Sequence, residues 1–330
     1  MSLAKVARDA GVAVSTVSRY VRGELKVSTD TAGRIDNALV AEGYDVPGAR
    51  PVEKACLGLV VPSLDNPYFA ALADAVTEAA AESGSEVLTV LTGSSPHRER
   101  VGVDRLIDLP DVSGLIYLGM NGTNVAFAGQ LAGSFPVVFL DEYVETPAWR
   151  VSHVTADSFG GAFQATSHLI SMGHRHIAHL GGPENLLTAD QREAGYRAAL
   201  ESHGIEVDER AIVRGGFTSA FGSNFFAHMA RTGANPSAVF SASDIAAVGL
   251  FESARRGGIE IPRDLSVIGC DGITLGEWLS PRLTTVEQPT EGMARKAVDG
   301  IRRLISGEPP EDHVLPMTLT VRESTKEHLS

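Results

Sequence analysis

Gly11-Val12-Ala13-Val14-Ser15-Thr16-Val17-Ser18-Arg19 follows directly on an apolar-spaced segment, Leu3 to Ala10. The two together read as a short helix, a glycine turn and a second short helix. Three helices are expected, over roughly 3–10, 14–22 and 30–42, with Ser2 and Ser28 as caps for the first and third. Helical spacing puts Val17 and Val21 on one side of the second helix, and Ile35 and Leu39 on one side of the third. With Val6, Ala7 and Ala10 these form a small common core. The opposite side of the second helix carries Ser15, Ser18, Arg19 and Arg22, with Val14 at its N-terminal edge. Such a polar stripe suits a helix that enters the DNA major groove, although three solvated amphipathic helices of any small bundle would share the periodicity.

Charge separates this head from the rest of the chain. The 330 residues carry a net charge of −13, which taken alone argues against a nucleic-acid partner. Over residues 1–26, however, Lys5, Arg8, Arg19, Arg22 and Lys26 outnumber Asp9 and Glu24, a net +3 that leaves −16 on the remainder. A basic head on an acidic body fits a protein that meets phosphates at one end only. The length exceeds one typical core, so two or three domains are expected. No apolar run is long enough for a signal peptide or a membrane span. Cys56 and Cys270 stand far apart in strand-like surroundings and fit buried thiols, which makes a reducing cytoplasm the expected compartment.

From residue 56 strand-like and helix-length runs alternate. Cys56 to Val61, Glu86 to Leu91, Gly114 to Leu118 and Val137 to Leu140 form one series, and Ile177 to Leu180, Ala211 to Val213, Ala238 to Phe240 and Ser266 to Gly269 a second. Two α/β lobes with parallel sheets follow. In such sheets a ligand lies beyond the carboxyl ends of the strands, and the residues there are polar: Ser63, Asp65, Asn66, Tyr68 and Phe69, then Asp141, then Ser243 with Asp244, then Asp271. Thr188 and Arg192 open a helix beside the Gly181-Gly182-Pro183 turn. Carboxylates paired with an arginine grip vicinal hydroxyls, which suggests a small hydroxylated ligand held between the lobes. Asp141 and Asp271 would serve equally well as helix caps, and Asp65 and Asn66 as a turn around Pro67.

The string Val6-Ala7-Arg8-Asp9-Ala10 through Arg19 resembles the headpiece of the LacI/GalR (lactose-repressor and galactose-repressor) family of bacterial transcription regulators. The likeness continues through Val27-Ser28, Glu42-Gly43-Tyr44 and Val321-Arg322-Glu323-Ser324-Thr325, nearly the whole chain. It implies a small all-α helix-turn-helix headpiece over 1–44 and a linker or hinge over 45–55. It also implies two α/β lobes in a periplasmic-binding-protein-like clamshell, an N-terminal lobe of 56–156 plus roughly 288–315 and a C-terminal lobe of 157–287 plus roughly 316–330. By the same resemblance Val14 and Ser15 set operator choice, Arg19 reads a base edge, and Thr16 and Ser18 hold phosphates. Ala13 stands where the family usually has Ser, a lost cap worth about 1 kcal/mol, and Arg22 where Asn is usual. The linker Asp45 to Lys54 is shorter than usual and contains Gly48 and Pro51, both poor in a helix, with Val52 at the position of the family's minor-groove Leu wedge. A plain flexible linker is favoured over a regular hinge helix.

In the body the resemblance marks Arg192, Asp271 and Gln288 as effector contacts, and Tyr68, Phe69 and Phe217 as aromatic residues stacked on the ligand. Leu186 and Leu187 replace the polar residues of purine-binding relatives, so a carbohydrate is the expected effector. Family members act as homodimers, which implies double-stranded DNA with a near-palindromic operator as partner. Two rival functions are weaker. An exported sugar-binding protein needs a leader and no DNA-reading head. An enzyme needs a phosphate loop, a nucleophile elbow or a metal-ligand cluster, none of which is found. His174, His176 and His179 are the nearest approach to a metal site and match a structural segment of the family, so neither metal nor cofactor is expected.

Overall fold

The computed structural model describes residues 3–21, 25, 27, 31, 34–35, 38–39, 56–119, 135–144 and 150–328. Contacts divide the chain into two units, 1–55 and 56–330.

In the first unit α1 spans Leu3–Asp9 and α2 spans Val14–Val21. Gly11, at φ +66°, ends α1: the Val12 amide donates to Ala7 O at 2.9 Å and the Gly11 amide to Arg8 O at 3.2 Å. These two bonds satisfy carbonyls left open at the helix end, and the left-handed backbone favours glycine there. Val6, Val17, Ile35 and Leu39 are fully buried together with Ala7, Ala10 and Ala38, so the described helices share one apolar core. Residues 31, 34–35 and 38–39 are helical and belong to the expected third helix. Ser2, Arg22, Ser28, the Val21 side chain and the whole linker with Val52 lie outside the described residues.

Ala13 precedes α2, and its carbonyl accepts from the Thr16 and Val17 amides at 2.9 and 3.2 Å. It occupies the N-cap position without a side-chain acceptor. Ala13→Ser is therefore expected to stabilise the headpiece by about 1 kcal/mol, seen as a roughly fivefold rise in amide-exchange protection across α1 and α2. Unchanged or lower protection would contradict the cap.

The second unit contains two sheets. The first is built from β1 (Cys56–Val61), β2 (Glu86–Leu91), β3 (Val112–Tyr117), β4 (Val137–Leu140) and β5 (Val151–Ala156), with α3 (Pro67–Glu82) and α4 (Pro96–Ile107) between the early strands. The chain then forms α5 (Ser158–Ser171), β6 (Ile177–Leu180), α6 (Leu187–Ser202), β7 (Ile212–Val213), α7 (Ser219–Ser223), α8 (Phe225–Thr232), β8 (Ala238–Ser241), α9 (Asp244–Gly257), β9 (Ser266–Asp271) and β10 (Thr284–Glu287). It closes with α10 (Thr290–Ile305), β11 (His313–Leu315) and β12 (Thr318–Thr320). The sheet orders are β11-β5-β4-β3-β1-β2 and β12-β10-β9-β8-β6-β7, parallel throughout except for β12 against β10.

The chain passes from one sheet's lobe to the other after β5, after β10 and after β11. The crossings after β5 and after β11 meet: the Asp157 amide donates to Leu315 O at 2.8 Å. The inner strands are apolar because helices cover both faces of each sheet, as with Leu57, Leu59, Phe139 and Phe240.

Four strands beyond the eight expected are present. β5, Val-Ser-His-Val-Thr-Ala, escapes an apolar-run reading because it buries polar groups: His153 is held by Asp312 at 3.1 Å and Val144 O at 3.0 Å. β10 similarly buries Thr284 and Thr285, the latter donating to Asp244. β11 and β12 are three-residue edge strands too short to carry a pattern.

Candidate DNA-reading helix and ligand cleft

α2 turns Val17 into the headpiece core, which leaves Val14, Ser15 and Arg19 exposed and Thr16 and Ser18 half-buried on its other sides. An apolar residue 47% exposed at the start of the helix, Val14, is free to meet a thymine methyl. Arg19 lies a little over one turn beyond, with its fork of donors in solvent. Arg22 and Val52, expected to join them, lie outside the described residues.

In the body a narrow cavity lies between the two lobes at the carboxyl ends of their strands. Asn66 caps α3, accepting from the Tyr68 amide at 3.1 Å, and Pro67 at the first helical position fixes the entry of the chain, so Tyr68 and Phe69 form one wall. Asp141 follows β4 in a left-handed conformation, φ +76°, that brings it and Glu142 into the cavity. Thr188 and Arg192 sit four residues apart on α6 and so share one face, while Phe217 enters from the loop before α7. Asp271 ends β9 at φ +121°, and Gln288 stands at the crossing after β10. A non-glycine residue in that region is strained, and here the strain aims a carboxylate at the cavity.

The side chains form one network. Tyr68 donates to Asp141 Oδ1 at 2.7 Å, and its hydroxyl lies 3.0 Å from Gln288 Oε1. Gln288 donates to Asp271 Oδ1 at 3.0 Å, Arg192 to the same oxygen at 3.1 Å, and Ser243 to Asp271 Oδ2 at 3.0 Å. Arg192 also donates to Ala242 O, and its guanidinium carbon is 5.7 Å from the centre of the Phe217 ring. Its Nε has no partner although the residue is 2% exposed. Glu142, on the first lobe, accepts from the Thr188 hydroxyl and amide of the second. Burial lifts the Asp141 carboxyl to about 6 despite Arg192 nearby, and burial together with the Asp141 charge lifts Glu142 to about 8. Burial also raises Asp271, against the pull of Arg192.

Of the residues expected at the ligand, the cavity is lined by Asn66, Tyr68, Phe69, Asp141, Thr188, Arg192, Phe217 and Asp271. Ser243 and Gln288 stand behind, holding Asp271. Ser63 and Asp65 belong to a turn, the Asp65 amide donating to Ser63 Oγ at 3.0 Å, and neither reaches the wall. Asp244 requires correction as a ligand contact. Its carboxylate is occupied by the Gly272 and Ile273 amides and the Thr285 hydroxyl at 2.7 to 3.0 Å, so it clamps the loop after β9. Glu142, Leu186 and Gly119 line the cavity without having been singled out as contacts. The acidic pair directly behind the apolar run Val137 to Leu140 is the signal that points to Glu142.

His174 is bound by Ser237 and Ser266 hydroxyls and Lys326 O at 2.9 to 3.1 Å, a strap across the second lobe. Among the described residues no group of three His, Cys, Asp or Glu is arranged to hold a metal ion, and no helix is long and apolar enough to cross a membrane.

A helix-turn-helix head and a two-lobed α/β body with a polar cleft, present in one chain, define a DNA-binding transcriptional regulator. Residues 2–45 match the family described as bacterial regulatory proteins, lacI family, and residues 166–325 match the periplasmic binding protein-like domain. The chain is 33% identical over 297 residues to the HTH-type transcriptional repressor CytR of Escherichia coli, covering 89% of this chain and 86% of that one. It is 32% identical over 335 residues to the HTH-type transcriptional regulator CelR of Thermobifida fusca, covering 98% of each. A solved structure of a transcriptional regulator CelR-cellobiose complex superposes with a TM-score of 0.75 at 31% identity, over 98% of this chain and 99% of that one. The chain belongs to the lacI family of bacterial regulatory proteins. These relatives are regulators of transcription and not enzymes.

Proposed function

We propose that this regulator reads a near-palindromic operator as a homodimer, and that a carbohydrate taken up between its lobes sets the operator affinity. The observation that carries the reading is the cavity itself. Asp271 and Arg192 place an acceptor and a donor side by side, the arrangement suited to a vicinal diol, and Phe69 and Phe217 offer faces for the apolar side of a sugar ring. Leu186, 2% exposed in the wall, gives a nucleobase edge no hydrogen-bond partner. The cellobiose bound by the related regulator supports the same class of ligand.

Trp278 is 76% exposed beside Val248, Phe251 and Leu279, an apolar surface that supports association with a second copy. Closure of the cleft about the three crossing segments would shift the first lobe, next to the linker, and so change the spacing of the two heads. A coupling of about 1 to 3 kcal/mol gives roughly 5- to 150-fold in DNA affinity.

A thermal-shift screen against sugars and nucleosides tests the reading. A sugar at 100 times its dissociation constant should stabilise the native state by about 2.7 kcal/mol, a clear rise in melting temperature. Stabilisation by nucleosides with no response to any sugar would overturn it.

A further inference from the structure

We propose that the carbohydrate of this cleft carries a positive charge beside its hydroxyls, which places it in the amino-sugar class; this rests on the reading of the cavity as a sugar site. Among the described residues the cavity is lined by three carboxylates and a single cation. Asp271 is matched by Arg192 at 3.1 Å, both nearly inaccessible to solvent. Asp141 and Glu142 are consecutive, 8% and 3% exposed, and Arg192, which pulls on both from a distance, is already paired directly with Asp271. Their hydrogen bonds come from neutral donors, the Tyr68 hydroxyl for Asp141 and the Thr188 hydroxyl and amide for Glu142.

Two adjacent buried carboxylates whose hydrogen bonds come from neutral donors, and which share one arginine with a third carboxylate, favour taking up a proton or receiving a cation. The titratable and charged groups that line the cavity with Glu142 are Asp141 beside it, Tyr68 from α3, Arg192 from α6 and Asp271 after β9, and the acids outnumber the bases. In the empty site the deficit is met by protons, in keeping with a Glu142 carboxyl pushed up to about 8 by burial and by Asp141. A ligand ammonium in the same place makes charge-assisted bonds to both carboxylates, and these exceed what a neutral hydroxyl makes with a protonated acid. The adjoining Tyr68 and Phe69 rings, 5.5 Å apart between centres, present further electron-rich faces to a cation. At the other end the unpartnered Arg192 Nε and the Asp271 carboxylate remain for hydroxyls. The cavity thus has a hydroxyl end on the second lobe and a cation end on the first.

The full-length protein is titrated calorimetrically at about pH 6, where a sugar amine is protonated and Glu142 still holds its proton. The probes are matched sets differing only at C2 of each ring: glucosamine, N-acetylglucosamine and glucose, then fully deacetylated chitobiose, its diacetyl form and cellobiose. The amine of at least one set should bind about tenfold or more tighter than its hydroxyl counterpart. It should also release roughly one proton, read from the dependence of the heat on buffer ionisation enthalpy. Glu142→Gln should remove most of the proton release, leaving at most the fraction held by Asp141, and bring the amine preference below about threefold. Neutral sugars binding as tightly as the amines, without proton release, would overturn the proposal and leave the sugar reading standing. Failure of every sugar, amine, amide or hydroxyl, would overturn that reading together with the proposal.

Discussion

Arg192→Ala abolishes ligand binding, with at least about 100-fold loss of affinity, while operator binding survives. The size of the effect follows from burial. Arg192 is the one cation lining the cavity among the described residues, it is 2% exposed, and it shares Asp271 Oδ1 with Gln288. Its removal takes away the donors nearest a diol and leaves the buried Asp271 carboxylate without its cation, held only by Gln288 and Ser243, which destabilises the body by about 3 to 5 kcal/mol. Because that loss alone could unfold the lobes, Arg192→Lys is the companion variant. It keeps the charge for Asp271 but loses the planar fork, so it should fold and still bind ligand poorly. Calorimetric titration with the sugar found in the screen, alongside operator binding on the same samples, checks both variants. Unaltered ligand affinity in either would remove Arg192 from the site.

Arg19→Ala has the opposite profile, with ligand binding retained and operator discrimination lost. A bidentate contact to guanine O6 and N7 is worth about 1 to 3 kcal/mol of specificity, roughly 5- to 150-fold at that base pair. Phosphate contacts elsewhere on the head persist, so weak, salt-dependent binding to any duplex remains. The experiment uses a site selected by the wild-type protein from a pool of randomised duplexes, and compares its affinity with that of a scrambled duplex at one salt concentration. A specificity ratio unchanged in the variant would show that α2 reads the groove through other residues.

The headpiece is legible in the sequence because its signals are local. Gly11 ends one helix, the spacing of Val6, Ala10 and Val17 fixes the buried side, and what is left of α2 is polar. The inner strands of the body are equally plain, since helices on both faces require uninterrupted apolar runs such as Val137 to Leu140. β5 and β10 are hidden for the same physical reason. Their buried His153, Thr284 and Thr285 depend on partners distant in the chain, such as Asp312, Thr325 and Asp244, and spacing along the chain carries no trace of those partners.

Within the cleft, residues at strand ends are found because topology predicts where a ligand lies. The division of labour among them is not, since Asp244 and Asp271 follow neighbouring strands with the same residue type. Asp244 is consumed by backbone amides and Asp271 is turned toward the cavity by a positive φ, a difference that exists only in three dimensions. Glu142 is overlooked for a related reason. Only the left-handed turn at Asp141 presents two consecutive side chains to the same cavity, where an extended chain would point them apart.

On the proposed function, occupancy of the cleft governs the grip of the head on DNA. Operator affinity of the full-length protein, measured by fluorescence anisotropy at fixed salt with and without a saturating concentration of the sugar that stabilises it, tests this most directly. A change of roughly 5- to 150-fold is predicted, and its loss in Arg192→Lys would tie it to the cleft. Identical operator affinity at full ligand occupancy would contradict it.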